Sequence, residues 1–145
     1  MKNFKFIICA LLLVSSTISC NKNANDDRNQ FIGTWTGTIN SVVPGLGSNT
    51  TKPETLIITK GNNKNNQIIL TQTGGTGVPT ANVSGNTYTY VEYTSSSTSQ
   101  NITVSMIIDG TGTLNGNIIN ESGTLTYVIS GQSYPGTWTS ALVKQ

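Results

Sequence analysis

The sequence predicts an all-β protein, an antiparallel meander β-barrel of eight to ten strands, and three observations carry that expectation. After residue 20 no window holds a helical apolar stripe longer than about two turns. From residue 31 to the end, short runs of alternating apolar and polar residues are separated by Gly, Asn and Ser turns. One tetrapeptide stands at both ends of that stretch, Gly33-Thr34-Trp35-Thr36 and Gly136-Thr137-Trp138-Thr139. Each copy lies inside an alternating run, Phe31, Gly33, Trp35, Gly37, Ile39 and Tyr134, Gly136, Trp138, Ser140, Leu142. If the first strand pairs with the last, no edge remains unpaired, and such a closed sheet is expected to be a monomer.

Charged residues are 10% of the 145, far below the usual quarter, so Thr, Ser, Asn and Gly must supply the polar faces and turns. From Asn21 onward six basic residues (Lys22, Arg28, Lys52, Lys60, Lys64, Lys144) balance six acidic ones (Asp26, Asp27, Glu54, Glu92, Asp109, Glu121). The formal charge of +2 therefore belongs to Lys2 and Lys5, and the domain has no basic patch for nucleic acid or an anionic membrane surface.

Lys2 and Lys5 precede an apolar run from Phe6 to Val14 and then Ser15-Ser16-Thr17-Ile18-Ser19-Cys20, the three-part form of a secretory signal and too short to span a bilayer. The ending resembles the lipobox of bacterial lipoproteins, in which a small residue, here Ser19, precedes an acylated cysteine, here Cys20; Thr17 stands where that motif usually has Leu, Val or Ile. The resemblance implies a signal peptide at 1–19, a lipidated (palmitate-bearing) Cys20, and a domain anchored to the outer membrane of the cell envelope, in the periplasmic or the outer-surface leaflet. Two or more acyl chains anchor stably where one does not. Cys9 would leave with the signal, so no disulfide is expected. Residues 20–30 read as acylated cysteine and flexible tether, since Asn21 to Gln30 holds one Ala and no other apolar residue. Asp26-Asp27 resembles the acidic signals that send some lipoproteins to the outer surface, and reads equally as solvated linker.

The barrel domain is 31–145. Its first strand runs from Phe31 to Asn40, and Gly33-x-Trp35 resembles the opening of the lipocalin and fatty-acid-binding families, whose first-strand Trp packs at the closed end of a meander barrel. In lipocalins a basic residue near the end of the last strand stacks on that Trp, and Lys144 is the candidate here. Fatty-acid binders of that shape hold the carboxylate with an internal arginine, whereas the one arginine of this chain, Arg28, lies in the tether. Val42 to Pro53 reads as the longest loop, a lid in the lipocalin comparison or a segment folded on the rim. Strands follow at Glu54–Lys60 (Leu56, Ile58 inward) and Gln67–Thr73 (Ile68, Leu70 inward), joined by a polar turn at 61–66. A connection at 72–80 leads to a short strand near Ala81–Ser84, and then to a strand at Thr87–Thr94 in which Tyr88 and Tyr90 share a face and Tyr93 takes the other. Ser95 to Gln100 reads as a polar loop. Ile102, Val104, Met106 and Ile108 mark the clearest strand, after which Asp109-Gly110, Asn115-Gly116 and Glu121-Ser122-Gly123 each offer a hairpin turn and the pattern does not choose among them. Leu125, Tyr127 and Ile129 form the inward face of the penultimate strand, and Tyr134 to Val143 closes the sheet.

The chain has no histidine, which excludes Ser-His and Cys-His pairs and His-ligated metals. The six carboxylates are scattered, and no glycine-rich phosphate loop opens a helix, so neither a glycosidase pair nor a nucleotide site is expected. The protein is expected to be non-catalytic, with no metal and no cofactor. Two functions compete. One is carriage of a small neutral apolar ligand inside the barrel, with Trp35, Tyr88, Tyr90, Tyr127 and Trp138 as candidate lining residues. The other is an accessory or adhesion module that binds an envelope protein or glycan through its outer surface. An inward set read as free of charge favours a neutral guest.

Overall fold

The structure, a computed structural model, describes residues 26–62, 66–75, 77–99 and 102–145; the expected signal peptide and Cys20 lie outside them. The described residues form nine antiparallel strands: β1 (Gly33–Val43), β2 (Ser48–Lys60), β3 (Gln67–Gln72), β4 (Thr80–Ser84), β5 (Thr87–Tyr90), β6 (Tyr93–Ser99), β7 (Ile102–Asn115), β8 (Ile118–Ile129) and β9 (Gln132–Lys144). Their order is β5-β4-β3-β2-β1-β9-β8-β7-β6, and a further β5–β7 pairing closes the sheet in a ring. The two tryptophan strands do form the seam, with Trp35 opposite Lys144 and Ser41 opposite Trp138. Because they run antiparallel, the repeated tetrapeptides sit at opposite ends of the barrel rather than side by side.

Ring closure does not remove every edge. β7 is long enough to carry β5 on its lower half (Thr87 to Thr89 against Thr113 to Thr111) and β6 on its upper half (Tyr93 to Ser99 against Ile108 to Ile102). Among the described residues β6 pairs with β7 alone, and residues 48–54 of β2 lie beyond the reach of the β3 ladder, which stops at Leu56 opposite Gln72 with one further bond from Thr73 N–H to Thr55 O. The barrel is therefore a complete cylinder below and an open one above. From Thr89 to Tyr93 the chain takes four steps while its partner on β7 takes three, from Thr111 to Ile108. That one extra residue, around Val91-Glu92, is a bulge that inverts the side-chain alternation. Tyr93, assigned by parity to the outer face, turns inward for this reason.

The closed half is packed solid. Phe31, Trp35, Ile58, Ile68, Leu70, Ala81, Tyr88, Ile119 and Leu142 are completely buried in one cluster. Residues expected as tether close its base: Asp27–Gln30 form a single 3-10 turn capped by Asp26. Gln30 Nε2 donates to Gly85 O (2.6 Å), Asp27 Oδ2 accepts from Gly85 N (3.1 Å), and Asp26 pairs with Arg28 (2.6 Å) and Lys60 (2.9 Å). A sequence without apolar residues is ordered here through its polar groups, which satisfy the ends of strands and turns. Lys144 stacks over the Trp35 ring, 5.2 Å from its centroid, and donates to Gln30 O at 3.1 Å. The basic residue that the lipocalin comparison asked for is in place.

Three turn assignments change. The expected long loop shrinks to Pro44–Gly47, a 3-10 turn reversed by Gly47 at φ 61°, and the Ser, Thr and Asn residues after it extend β2 against β1. Pro53 is tolerated there because β2 has a neighbour on one side only at that height. No lid forms. Residues 95–99, expected as loop, continue β6. Of the three candidate hairpins, the chain turns at Gly116-Asn117, with Gly116 at φ 63° and Asn115 opposite Ile118. Gly110 and Gly123 lie opposite each other inside the β7–β8 ladder instead, where both are needed for their lack of a side chain rather than for a turn. A Cβ on Gly110 would come within 2.8 Å of the Trp138 ring, and one on Gly123 would collide with Asp109 O and approach Trp138 Nε1 to 2.8 Å.

Candidate functional site

The open half of the barrel encloses a cavity of about 440 Å³, inside the usual range for small-molecule sites. Its apolar wall comes from Ile39 and Val43 of β1, Leu56 and Leu70 below, and Met106, Ile108 and Leu125 across the barrel. Tyr90, Tyr93, Tyr127 and Trp138 supply the aromatic part. Gly74, Gly75, Gly77 and Pro79 border it at the level where β3 has ended.

Of the five aromatic candidates, Tyr90, Tyr127 and Trp138 line the cavity, whereas Trp35 and Tyr88 belong to the packed half. Trp35 donates its indole N–H to Phe31 O at 2.7 Å, and the Tyr88 ring covers Gly112, directly opposite on β7. Trp138 rests on the Gly110–Gly123 pair, donates to Asp109 O (3.2 Å) and meets Tyr90 edge-on at 5.6 Å. Further along β7 and β8 the inward assignment fades, since Ile102 is exposed and Val104 and Ile129 are half-buried, beyond the part of the barrel that encloses the cavity.

Between packed half and cavity lie two carboxyl groups, and they correct the expectation of an uncharged interior. Glu121, 4% exposed, is in mid-strand on β8 rather than at a turn. It accepts hydrogen bonds from Tyr88 Oη (2.5 Å), Tyr90 Oη (2.7 Å) and, very closely, Ser140 Oγ. Glu54, 9% exposed, comes from β2 and lines the cavity floor. Its Oε1 accepts from Gln72 Nε2 at 3.1 Å, while its Oε2 has no hydrogen-bond partner among the described residues. Burial, reinforced by the charge of Glu121, pushes the Glu54 carboxyl up to about 7. Burial, with the charge of Glu121 second, also raises the Tyr88 and Tyr90 hydroxyls well above the ordinary tyrosine value, keeping them neutral donors.

The signal for both carboxyls was parity. Glu54 is two residues before inward Leu56, and Glu121 four before inward Leu125. Reading Glu54 as the polar start of a strand and Glu121 as part of a turn hid them. Lys52, one inward position further up β2 and opposite Ile39, stands at the exposed rim.

No protein-family model and no curated protein matches the sequence. Among solved structures, a protein of unknown function from the DUF3598 family of Nostoc punctiforme is similar, with a TM-score of 0.50 at 10% identity over 81% of this chain and 48% of that one. The chain thus spans about half the length of that relative. Rv2717c from M. tuberculosis gives a TM-score of 0.45 at 13% identity, over 80% of this chain and 93% of its own. At 10% identity the first likeness concerns the all-β fold alone.

Proposed function

We propose that this protein is a non-catalytic, lipid-anchored envelope protein that binds one small, largely apolar molecule in the open half of its barrel. The observation that carries the reading is the division of the barrel: one half is filled by side chains, and the other keeps a cavity of about 440 Å³ walled by aliphatic and aromatic groups. An eight-strand ring can be filled or can hold one small ligand, and here the two solutions are stacked along one axis. The exterior offers less to a partner: Ile118 and Val143 face each other across β8 and β9, while exposed Val42, Leu46, Ile57, Val78, Val91 and Ile102 are spread over other strands and loops.

Titration with small neutral lipids and quinones, followed by calorimetry and native mass spectrometry, should show one saturable site and quenching of tryptophan emission through Trp138. Absence of saturable binding would transfer the function to the outer surface. The anchor rests on Ser19-Cys20 at the end of the apolar run; Cys20→Ser should abolish labelling by radioactive palmitate and release the protein from membranes. Labelling that persists in that variant would end the lipoprotein reading.

A further inference from the structure

We infer that the cavity selects a ligand bearing a protonated amine, which the Glu54 carboxyl holds at the floor while the apolar body lies against the tyrosine and tryptophan wall. The inference rests on the cavity being a binding site, and it names the chemistry that site recognises. Two carboxyl groups approach the floor, and they are not equivalent. Glu121 is saturated by three hydroxyl donors from β5 and β9. Glu54 has one side-chain amide donor and an unpartnered, buried Oε2. A buried carboxylate oxygen without a donor is costly, and an ammonium group carries three donors and the opposite charge.

The surroundings point the same way. Among the described residues Lys52 is the one basic side chain that lines the cavity, and it stands at the exposed rim on the same strand. The groups that face Glu54 are Gln72 from β3, Glu121 from β8 and the hydroxyls of Tyr88 and Tyr90 from β5, with Tyr93 of β6 and Tyr127 of β8 in the same lining. None of these is a cation, so among the described residues the depth of the cavity is negative or neutral. Four aromatic rings at its wall add faces that attract ammonium groups and repel carboxylates. An amine would also offset the repulsion that Glu54 feels from Glu121, because a cation beside Glu54 favours its ionised form. Binding should therefore release a proton near neutral pH and tighten as pH rises through about 7.

The test uses three probes of one shape, 1-naphthylmethylamine, 1-naphthalenemethanol and 1-naphthoate, titrated into the purified full chain by calorimetry. At about pH 8 the amine should bind at one site about ten- to a hundredfold tighter than the alcohol, the range of a charge-assisted hydrogen bond, and the naphthoate weakest. At about pH 5.5 the advantage of the amine should shrink while the alcohol is unchanged. Glu54→Gln keeps size and shape and should reduce the amine to the level of the alcohol at both pH values. Because the pH series is run on the unmodified protein, it decides the matter even if the variant folds poorly. Amine and alcohol binding equally, or the naphthoate binding best, would overturn the amine inference and leave the cavity as a ligand site. Binding of none of the three would overturn the cavity reading itself.

Discussion

Glu54→Gln should change how stability depends on pH, and the size of the change follows from the environment of the carboxyl. Glu54 is an acid whose folded value, about 7, lies above its ordinary 4.5, so the folded state keeps the proton over a range in which the unfolded chain has released it. Below about 4.5 both states are protonated and the group contributes nothing. As pH rises from there to about 7 stability falls, and above that the full cost remains. At about 1.4 kcal/mol per tenfold, the interval amounts to about 3 kcal/mol, a large part of a small domain's stability. Other shifted groups act elsewhere. Asp26, held far below the ordinary carboxylate range by Arg28 and Lys60, loses its contribution only as pH falls below about 4, and Tyr88 and Tyr90 matter only in strong alkali. Urea unfolding followed by tryptophan emission at steps from about pH 4.5 to 8 isolates the effect. The wild-type midpoint should decline over that span while the Glu54→Gln midpoint stays level and exceeds it at pH 8. Parallel profiles for the two proteins would show that Glu54 is not held in a protonated, desolvated state, and the electrostatic account of the cavity floor would fail with it.

Other perturbations have equally definite outcomes. Gly123→Ala places a methyl against Asp109 O and the Trp138 indole, and should destabilise by about 1–3 kcal/mol in urea titration and weaken quenching by cavity ligands. Trp35→Ala should cost about 3–5 kcal/mol by empty volume in the packed half, with ligand affinity altered little in the folded fraction, because Trp35 does not line the cavity. A chain ending at Gly131 loses β9, exposing β1 and β8 together, and should show no cooperative melt; a transition near the full-length temperature would refute the seam.

Alternation made most of the barrel legible. Trp35, Trp138, Leu56, Ile58, Ile68 and Leu70 fall where a period of two puts them, and the seam between first and last strands could be read from the repeated tetrapeptide. What could not be read depended on events that break the period. The bulge near Val91-Glu92 displaced Tyr93 by one position, and no residue there signals it in advance. Residues 48–52 and 95–99 look like loop because Ser and Thr are as common in turns as on the solvent side of strands; only the partner strand distinguishes the two. Gly110 and Gly123 are indistinguishable in sequence from hairpin glycines, since whether a glycine frees φ or clears space for an indole is decided by tertiary contact. The site was partly visible as an aromatic set and missed in its polar half. Glu54 and Glu121 share the inward faces of Leu56 and Leu125, but an acidic side chain at the start of a strand or beside a Ser-Gly pair carries the same local pattern as a solvated one.

The pairing of β6 to one neighbour gives the molecule two halves that need not breathe together. Opening the upper end requires the ladder from Tyr93–Ile108 to Ser99–Ile102 to separate, or the whole β6–β7 hairpin to lean outward, and neither disturbs the buried cluster around Trp35 and Phe31. Amide protons of residues 93–99 should therefore exchange with solvent at the cost of a local excursion, whereas those of β1 and β9 beside Trp35 exchange only when the whole cylinder comes apart. A guest could then enter and leave on the timescale of the hairpin while the base of the barrel keeps the protein folded, so that the speed of exchange is set by the seven Ser- and Thr-rich residues of β6 rather than by the carboxyl at the cavity floor.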